Sequence, residues 1–226
     1  MANLLKALAD LLFPPKCPFC HKILGQGEAG YCGDCQRTLP WIAGECSLQS
    51  PEFVTFTASA LWYRGGVRDS IHRYKFSGMS SYAPVYGTLV AQCIADRLAG
   101  KYDLISWVPL SEKSFKKRGY DQARLLAEAA ANKLGTTAVP TLKKIRATTA
   151  QSALKDPAER RANVMGVYEL AAGADVKDKR ILLVDDVITT GSTLSECARI
   201  LRTAGAAEVC CATLAQAGER LKERKN

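Results

Sequence analysis

Residues 180–194 read RILLVDDVITTGSTL. An apolar run over 181–184 ends in two adjacent acids, Asp185 and Asp186, and five of the seven residues after them are glycine or carry a hydroxyl. Neighbouring carboxylates repel, so a chain that places them together needs a cation or hydroxyl donors to satisfy them. A short unbroken aliphatic run is the pattern of a strand buried on both faces, as in a parallel sheet. Reading ILLVDD as such a strand puts both acids at its carboxyl end. VITTGST then becomes the loop entering a helix expected over 192–204, with Gly205 as its stop. Backbone N–H groups at that helix start, with the hydroxyls of Thr189, Thr190, Ser192 and Thr193, suit a dianionic phosphate, and Gly191 permits close backbone approach. A sugar's vicinal diol and a divalent cation would satisfy the acids. Asp185, Asp186, Val187, Ile188 and the loop to Thr193 therefore form a candidate ribose 5-phosphate pocket. A strand, turn and helix whose acids serve only as caps is the alternative.

Working outward, strand and helix patterns alternate. TASALWY (57–63) reads as a strand, followed by a helix with Val67, Ile71 and Tyr74 on one face that stops at Gly78. Pro84 opens a helix through Ala99, DLISWVPL (103–110) is a buried strand, and residues 121–135 form a helix closed by glycine. The stretch 143–165 lacks an apolar period and reads as an extended or mobile loop. EVCCATLAQ is a last strand. This alternation predicts an α/β fold with a parallel doubly wound sheet, whose ligands sit at the carboxyl ends of strands.

The formal charge is +9, and residues 111–165 hold 12 basic against 5 acidic side chains, a local excess of seven. Such a concentration implies an anionic partner, either a phosphorylated small molecule or nucleic acid; a solvated basic face is the bland account. His72 and Lys75 share a helical face that either points at a site or lies on the surface. With only His21 and His72 in the chain, a histidine-based triad has little support. No apolar run approaches the roughly 20 residues of a membrane span. Leu4, Leu5, Leu8, Leu11 and Leu12 share one face of a short amphipathic helix ended by Pro14-Pro15.

Of nine cysteines, Cys17 and Cys20 form CPFC and Cys32 and Cys35 form CGDC, 11 residues apart. Two such pairs across a polar, glycine-rich loop suit a tetrahedral thiolate site for structural zinc, which would supply the folding energy this loop lacks. Four sulfurs leave no open position for catalysis. Disulfides and a redox C-x-x-C are the competing accounts, and His21 and Cys46 are spare ligands. Reduced thiols point to a cytoplasmic protein. Residues 1–50 are thus read as an amphipathic helix with a zinc-binding module, and 51–226 as a second unit.

VDDVITTGST resembles the 5-phosphoribosyl pyrophosphate (PRPP) signature of type I phosphoribosyltransferases. The cysteine head, IHRYKFSG, VPLSEKSFKKRGYDQA, TAQSALKDPAERRANV and the PRPP loop, in that order, resemble the ComF (competence protein F, GntX-like) family over nearly the full length. The resemblance implies a type I phosphoribosyltransferase-like domain over 51–226 that binds PRPP with Mg²⁺. It places Asp185 and Asp186 at the sugar. It puts a pyrophosphate loop at Lys116, Lys117, Arg118 and Gln122, and a mobile lid with Gln151, Arg160 and Arg161. It also implies a part in natural transformation, through single-stranded DNA and a competence helicase. The competing function is nucleotide salvage, in which phosphoribosyl passes from PRPP to a base with release of pyrophosphate. A zinc-ribbon scaffold is a third. A glutamine amidotransferase lacks the cysteine it would need at the chain start.

Overall fold

A computed structural model of the chain describes residues 14–28, 30–43, 51–146 and 162–218. The amphipathic helix expected over 4–12, Cys46, and the lid residues Gln151, Arg160 and Arg161 lie outside them. In chain order the described elements are α1 (Gly33–Thr38), β1 (Phe56–Trp62), α2 (Gly65–Phe76), α3 (Ala83–Arg97), β2 (Leu104–Trp107), α4 (Glu112–Arg118), α5 (Gln122–Lys133), β3 (Leu142–Lys144), β4 (Tyr168–Leu170), β5 (Arg180–Ile188), α6 (Ser192–Thr203) and β6 (Glu208–Gln216). Among them no helix is long and apolar enough to cross a membrane.

Four strands pair in parallel in the order β1-β6-β5-β2. The aliphatic run of β5 explains its central place. Leu182 and Val184 enter one core with α2, α3 and α5, whereas Ile181 and Leu183 enter the other with Leu194, Cys197 and Leu201 of α6. Both faces of the strand are dry, as in a doubly wound sheet with helices on each side. Helices α3 and α5 approach so closely on the first face that a Cβ on Gly87 would stand 2.4 Å from the Ala129 Cβ. Glycine is required there by contact rather than by backbone angle.

Two expectations need correction. The strand does not end at the acids: β5 runs on to Ile188, because Val187 and Ile188 continue the register with Ala215 and Gln216 of β6. Asp185 and Asp186 therefore stand inside the last turn of the pleat, and the connecting loop shrinks to residues 189–191. Second, most of the expected pyrophosphate loop is the short helix α4. Ser111 caps it by accepting a hydrogen bond from the Ser114 N–H, and Gly119 ends it in the left-handed region at φ 81°. Within the stretch 143–165, Lys143 and Lys144 belong to β3, which pairs antiparallel with β4.

The chain leaves β2 and β5 in opposite directions. After β2 it goes to the near edge, where Ala138 bridges Ile105 in parallel; after β5 it crosses to β6 on the far side. The carboxyl ends of β2 and β5 thus flank a topological switch point, where open α/β sheets leave a crevice.

The cysteine head joins the same core rather than hanging from it. Phe19 stacks edge-on to Tyr31 and tilted to Tyr86, with both centroids at 5.9 Å. Residues 40–42 then run beside β1: Trp62 N–H donates to the Pro40 carbonyl (2.8 Å) and Ile42 N–H to that of Ala60 (3.1 Å).

Candidate functional site

At the end of β5 two side chains that face opposite ways become a pair. Asp186 is buried, 5 % exposed, and its Oδ1 lies 2.8 Å from Nζ of Lys75 at the end of α2. Asp185 is half-buried, and its Oδ1 accepts the Asp186 N–H at 2.8 Å. Burial, reinforced by the Asp186 charge, pushes the Asp185 carboxyl up to about 7, despite Lys75. Two more groups belong to this patch. Asp121 caps α5, accepting hydrogen bonds from the backbone N–H of Leu110 (2.8 Å) and Arg124 (3.1 Å), and burial raises its carboxyl. Lys144 of β3 lies with its ammonium 5.2 Å from the Tyr168 ring centroid, and burial lowers its pKa against the pull of Asp185. Three acids and two lysines converge at the switch point.

Beyond the acids, Gly191 holds φ 76° and precedes α6. A Cβ there would be strained by that angle and would also meet Pro51 Cγ at 3.0 Å. No side chain caps the helix. The Thr190 and Ser192 hydroxyls bond each other at 2.9 Å, while Gly191 gives its carbonyl to the Ser195 N–H. A small cavity is lined by Asp185, Val187, Ile188, Thr189, Thr190, Gly191, Ser192, Thr193 and Leu194. The arrangement offers donors to an anion beside acceptors for hydroxyls. A larger cavity, about 620 Å³, lies between residues 38–41 and Trp62–Gly66, away from these charges. Size alone does not locate the chemistry; the converging charged groups do.

The residues expected to hold pyrophosphate divide in two. Arg118 donates to Gln122 Oε1 (2.8 Å) and lies over Phe76, 4.8 Å from its centroid, so both adjoin the end of α2. Gln122 is buried, and its Nε2 has no partner among the described residues. Lys116 and Lys117 are exposed on α4 and make no ion pair among the described residues. Lys75 is the member that periodicity had left undecided between site and surface. Asp121 and Lys144 carried no signal beyond a helix cap and a basic run.

In the head, the sulfurs of Cys17, Cys20, Cys32 and Cys35 lie within 4.8 Å of one another. Zinc–sulfur bonds of about 2.3 Å in a tetrahedron place sulfurs about 3.8 Å apart, so the cluster fits. The local fold explains the gathering. Cys17 N–H donates to Lys22 O (2.8 Å) and His21 N–H to Cys17 O (2.9 Å), closing a tight knuckle; Cys32 caps α1 and brings Cys35 alongside. Burial raises the Cys17 thiol, but backbone N–H groups of Cys20, Cys32 and Phe19 outweigh it and lower it to about 7. Burial and the neighbouring sulfurs drive Cys35 far upward. Four such sulfurs ionise together only around a cation. His21 is occupied elsewhere, its Nε2 2.9 Å from the Tyr82 hydroxyl. Cys93, Cys197, Cys210 and Cys211 are buried and free.

Two family models match the chain. Residues 8–49 match the double zinc ribbon domain, and residues 121–226 match the phosphoribosyl transferase domain. The DNA utilization protein YhgH of Salmonella typhimurium is 30 % identical over 220 residues, covering 88 % of this chain and 96 % of that one. Competence protein F of Haemophilus influenzae is 30 % identical over 191 residues, covering 79 % and 81 %. Competence protein ComFC of Streptococcus pneumoniae is 29 % identical over 195 residues, covering 85 % and 84 %.

Proposed function

Since the chain belongs to the competence protein F family, with a phosphoribosyltransferase domain behind a four-cysteine structural zinc site, we propose that it binds PRPP or a related phosphoribosyl ligand with Mg²⁺ and acts on single-stranded DNA during DNA uptake. The observation that carries the ligand is the order of parts at the switch point: a buried Asp186 beside a half-buried Asp185, a left-handed Gly191, and an α6 amino terminus with no side-chain cap. In this reading the 5-phosphate sits on the residue 189–193 backbone and hydroxyls. The acids accept the ribose hydroxyls, Mg²⁺ offsets their charge, and Arg118 and Gln122 face the pyrophosphate. Gln151, Arg160 and Arg161 close as a lid. Residues 1–50 serve as the metal module and 51–226 as the ligand-binding unit.

The DNA part rests on the relatives' names and on the exposed Lys116 and Lys117. A cytoplasmic location and a competence helicase as partner complete the reading. Titrating the protein with PRPP and Mg²⁺ in a calorimeter should give heat that Gly191→Val removes. No heat from the unaltered protein overturns the ligand. Labelled single-stranded DNA should shift at low salt and be released by salt, and replacement of Lys116, Lys117 and Arg118 by Glu should remove the shift. No shift at low salt overturns the DNA part.

A second reading is active transfer to a base. Asp185 lines the small cavity at the end of β5, and burial with the Asp186 charge raises its carboxyl to about 7, which suits proton exchange with a base. Pyrophosphate release from PRPP with a panel of bases supports this reading, and silence across the panel leaves binding alone.

A further inference from the structure

Three consecutive residues of α2 hold three separate parts of the molecule. Arg73 Nη2 donates to the carbonyls of Pro18 (2.8 Å) and Phe19 (3.3 Å), the two residues between Cys17 and Cys20. One turn earlier, Ser70 donates to the same Pro18 carbonyl and hydrogen-bonds the Tyr86 hydroxyl. Tyr74 donates to the Gln122 carbonyl at 2.9 Å, and its own carbonyl accepts from Tyr120. Lys75 reaches Asp186. The knuckle, the start of α5 and the acid pair thus meet on one turn of helix.

From this we propose that Lys75 is a positioning residue for the sugar-phosphate site, and that the zinc knuckle sets its place through Ser70 and Arg73. The proposal rests on the phosphoribosyl reading for its ligand, but not for its mechanics. Helix α2 has 12 residues, starts with Gly65-Gly66, and has no side-chain cap at its amino end. A helix this short gains little from its own hydrogen bonds and depends on what it packs against. Val67, Ile71 and Tyr74 anchor one face in the core. The other anchor is a pair of knuckle carbonyls, whose position zinc fixes by closing the loop that carries them. Lys75 in turn gives Asp186 a counter-charge and holds its Oδ1 in one place, 2.8 Å from the ammonium.

The experiment uses the full zinc-loaded chain and three variants, Arg73→Met, Lys75→Met and Lys75→Arg. Amide hydrogen exchange is followed in α2 and over 185–188, and PRPP with Mg²⁺ is titrated in parallel. Arg73→Met should keep its zinc and its overall fold, yet speed exchange about tenfold at the end of α2 and over 185–188. Lys75→Met should leave α2 exchange unchanged and weaken the ligand about tenfold, with Lys75→Arg recovering most of it. The proposal falls if Arg73→Met leaves exchange over 185–188 as in the parent, or if Lys75→Met binds the ligand as tightly. If the parent gives no heat with PRPP, the ligand reading fails, and the exchange arm alone decides the coupling.

Discussion

The chain gathers like charges in two places and neutralises them by different means. In the head, four sulfurs lie within 4.8 Å of one another, and the balance comes from a structural zinc. At the end of β5, two carboxylates are balanced from inside, by Lys75 at 2.8 Å and by Lys144 nearby. The first solution fixes the geometry for as long as the ion stays. The second leaves an acid pair whose lysine partner, in the function proposed above, gives way to a ligand's cation or hydroxyls. A structural site and the proposed binding site thus differ less in their acids and thiols than in what is allowed to replace the counter-charge.

The largest effect should follow from removing the ion. Cys35→Ser, or stripping with a chelator, should lower the melting temperature by roughly 10 °C or more, because binding energy here is folding energy. Metal analysis should give one zinc per parent chain. A chelated protein that melts like the parent breaks the comparison on the thiol side. Next comes Asp186→Ala, which deprives Lys75 of its close partner and should cost about 2–3 kcal/mol in denaturant unfolding, part of it recovered by adding Lys75→Met.

Asp185→Asn should act with the opposite sign. Its carboxyl is raised from the ordinary 3.8 to about 7 by burial and by Asp186, so the folded chain keeps a proton that the unfolded chain has lost. Stability from this group is therefore full below about 4, falls as pH rises through 7, and stays low above. The variant should match the parent near pH 4 and melt about 2–4 °C above it at pH 8, while binding the ligand less well. Equal melting at pH 8 would show the pair already relaxed. The smallest effect belongs to an exposed pair in the head, Lys22 with Asp34 at 2.9 Å. Lys22→Ala should leave the melting temperature unchanged within error, since solvent screens such pairs.

The sequence displayed the central strand, the helix faces around Val67, Ile71 and Tyr74, and the two cysteine pairs, because each is written in local spacing. The strand's extra length over Val187 and Ile188 was hidden, since it depends on β6 offering Ala215 and Gln216. Helix α4 was hidden for the reverse reason: a run of Lys116, Lys117 and Arg118 reads as loop until Ser111 and Gly119 are recognised as its caps. Lys75 is the instructive case at the site. Its neighbour Tyr74 is fully buried, and helical spacing alone leaves Lys75 at the border between core and solvent. Only the approach of the end of α2 to Asp186 decides which way it points.

One feature of the head bears on the behaviour of the whole protein in a test tube. β1 ends the four-strand sheet, and residues 40–42 lie along it, with Trp62 and Ala60 engaged by Pro40 and Ile42. An uncovered outer strand recruits others of its kind and seeds aggregates. The ribbon of chain emerging from the zinc module therefore acts as a selvedge, and metal loss during purification should surface first as clumping rather than as unfolding.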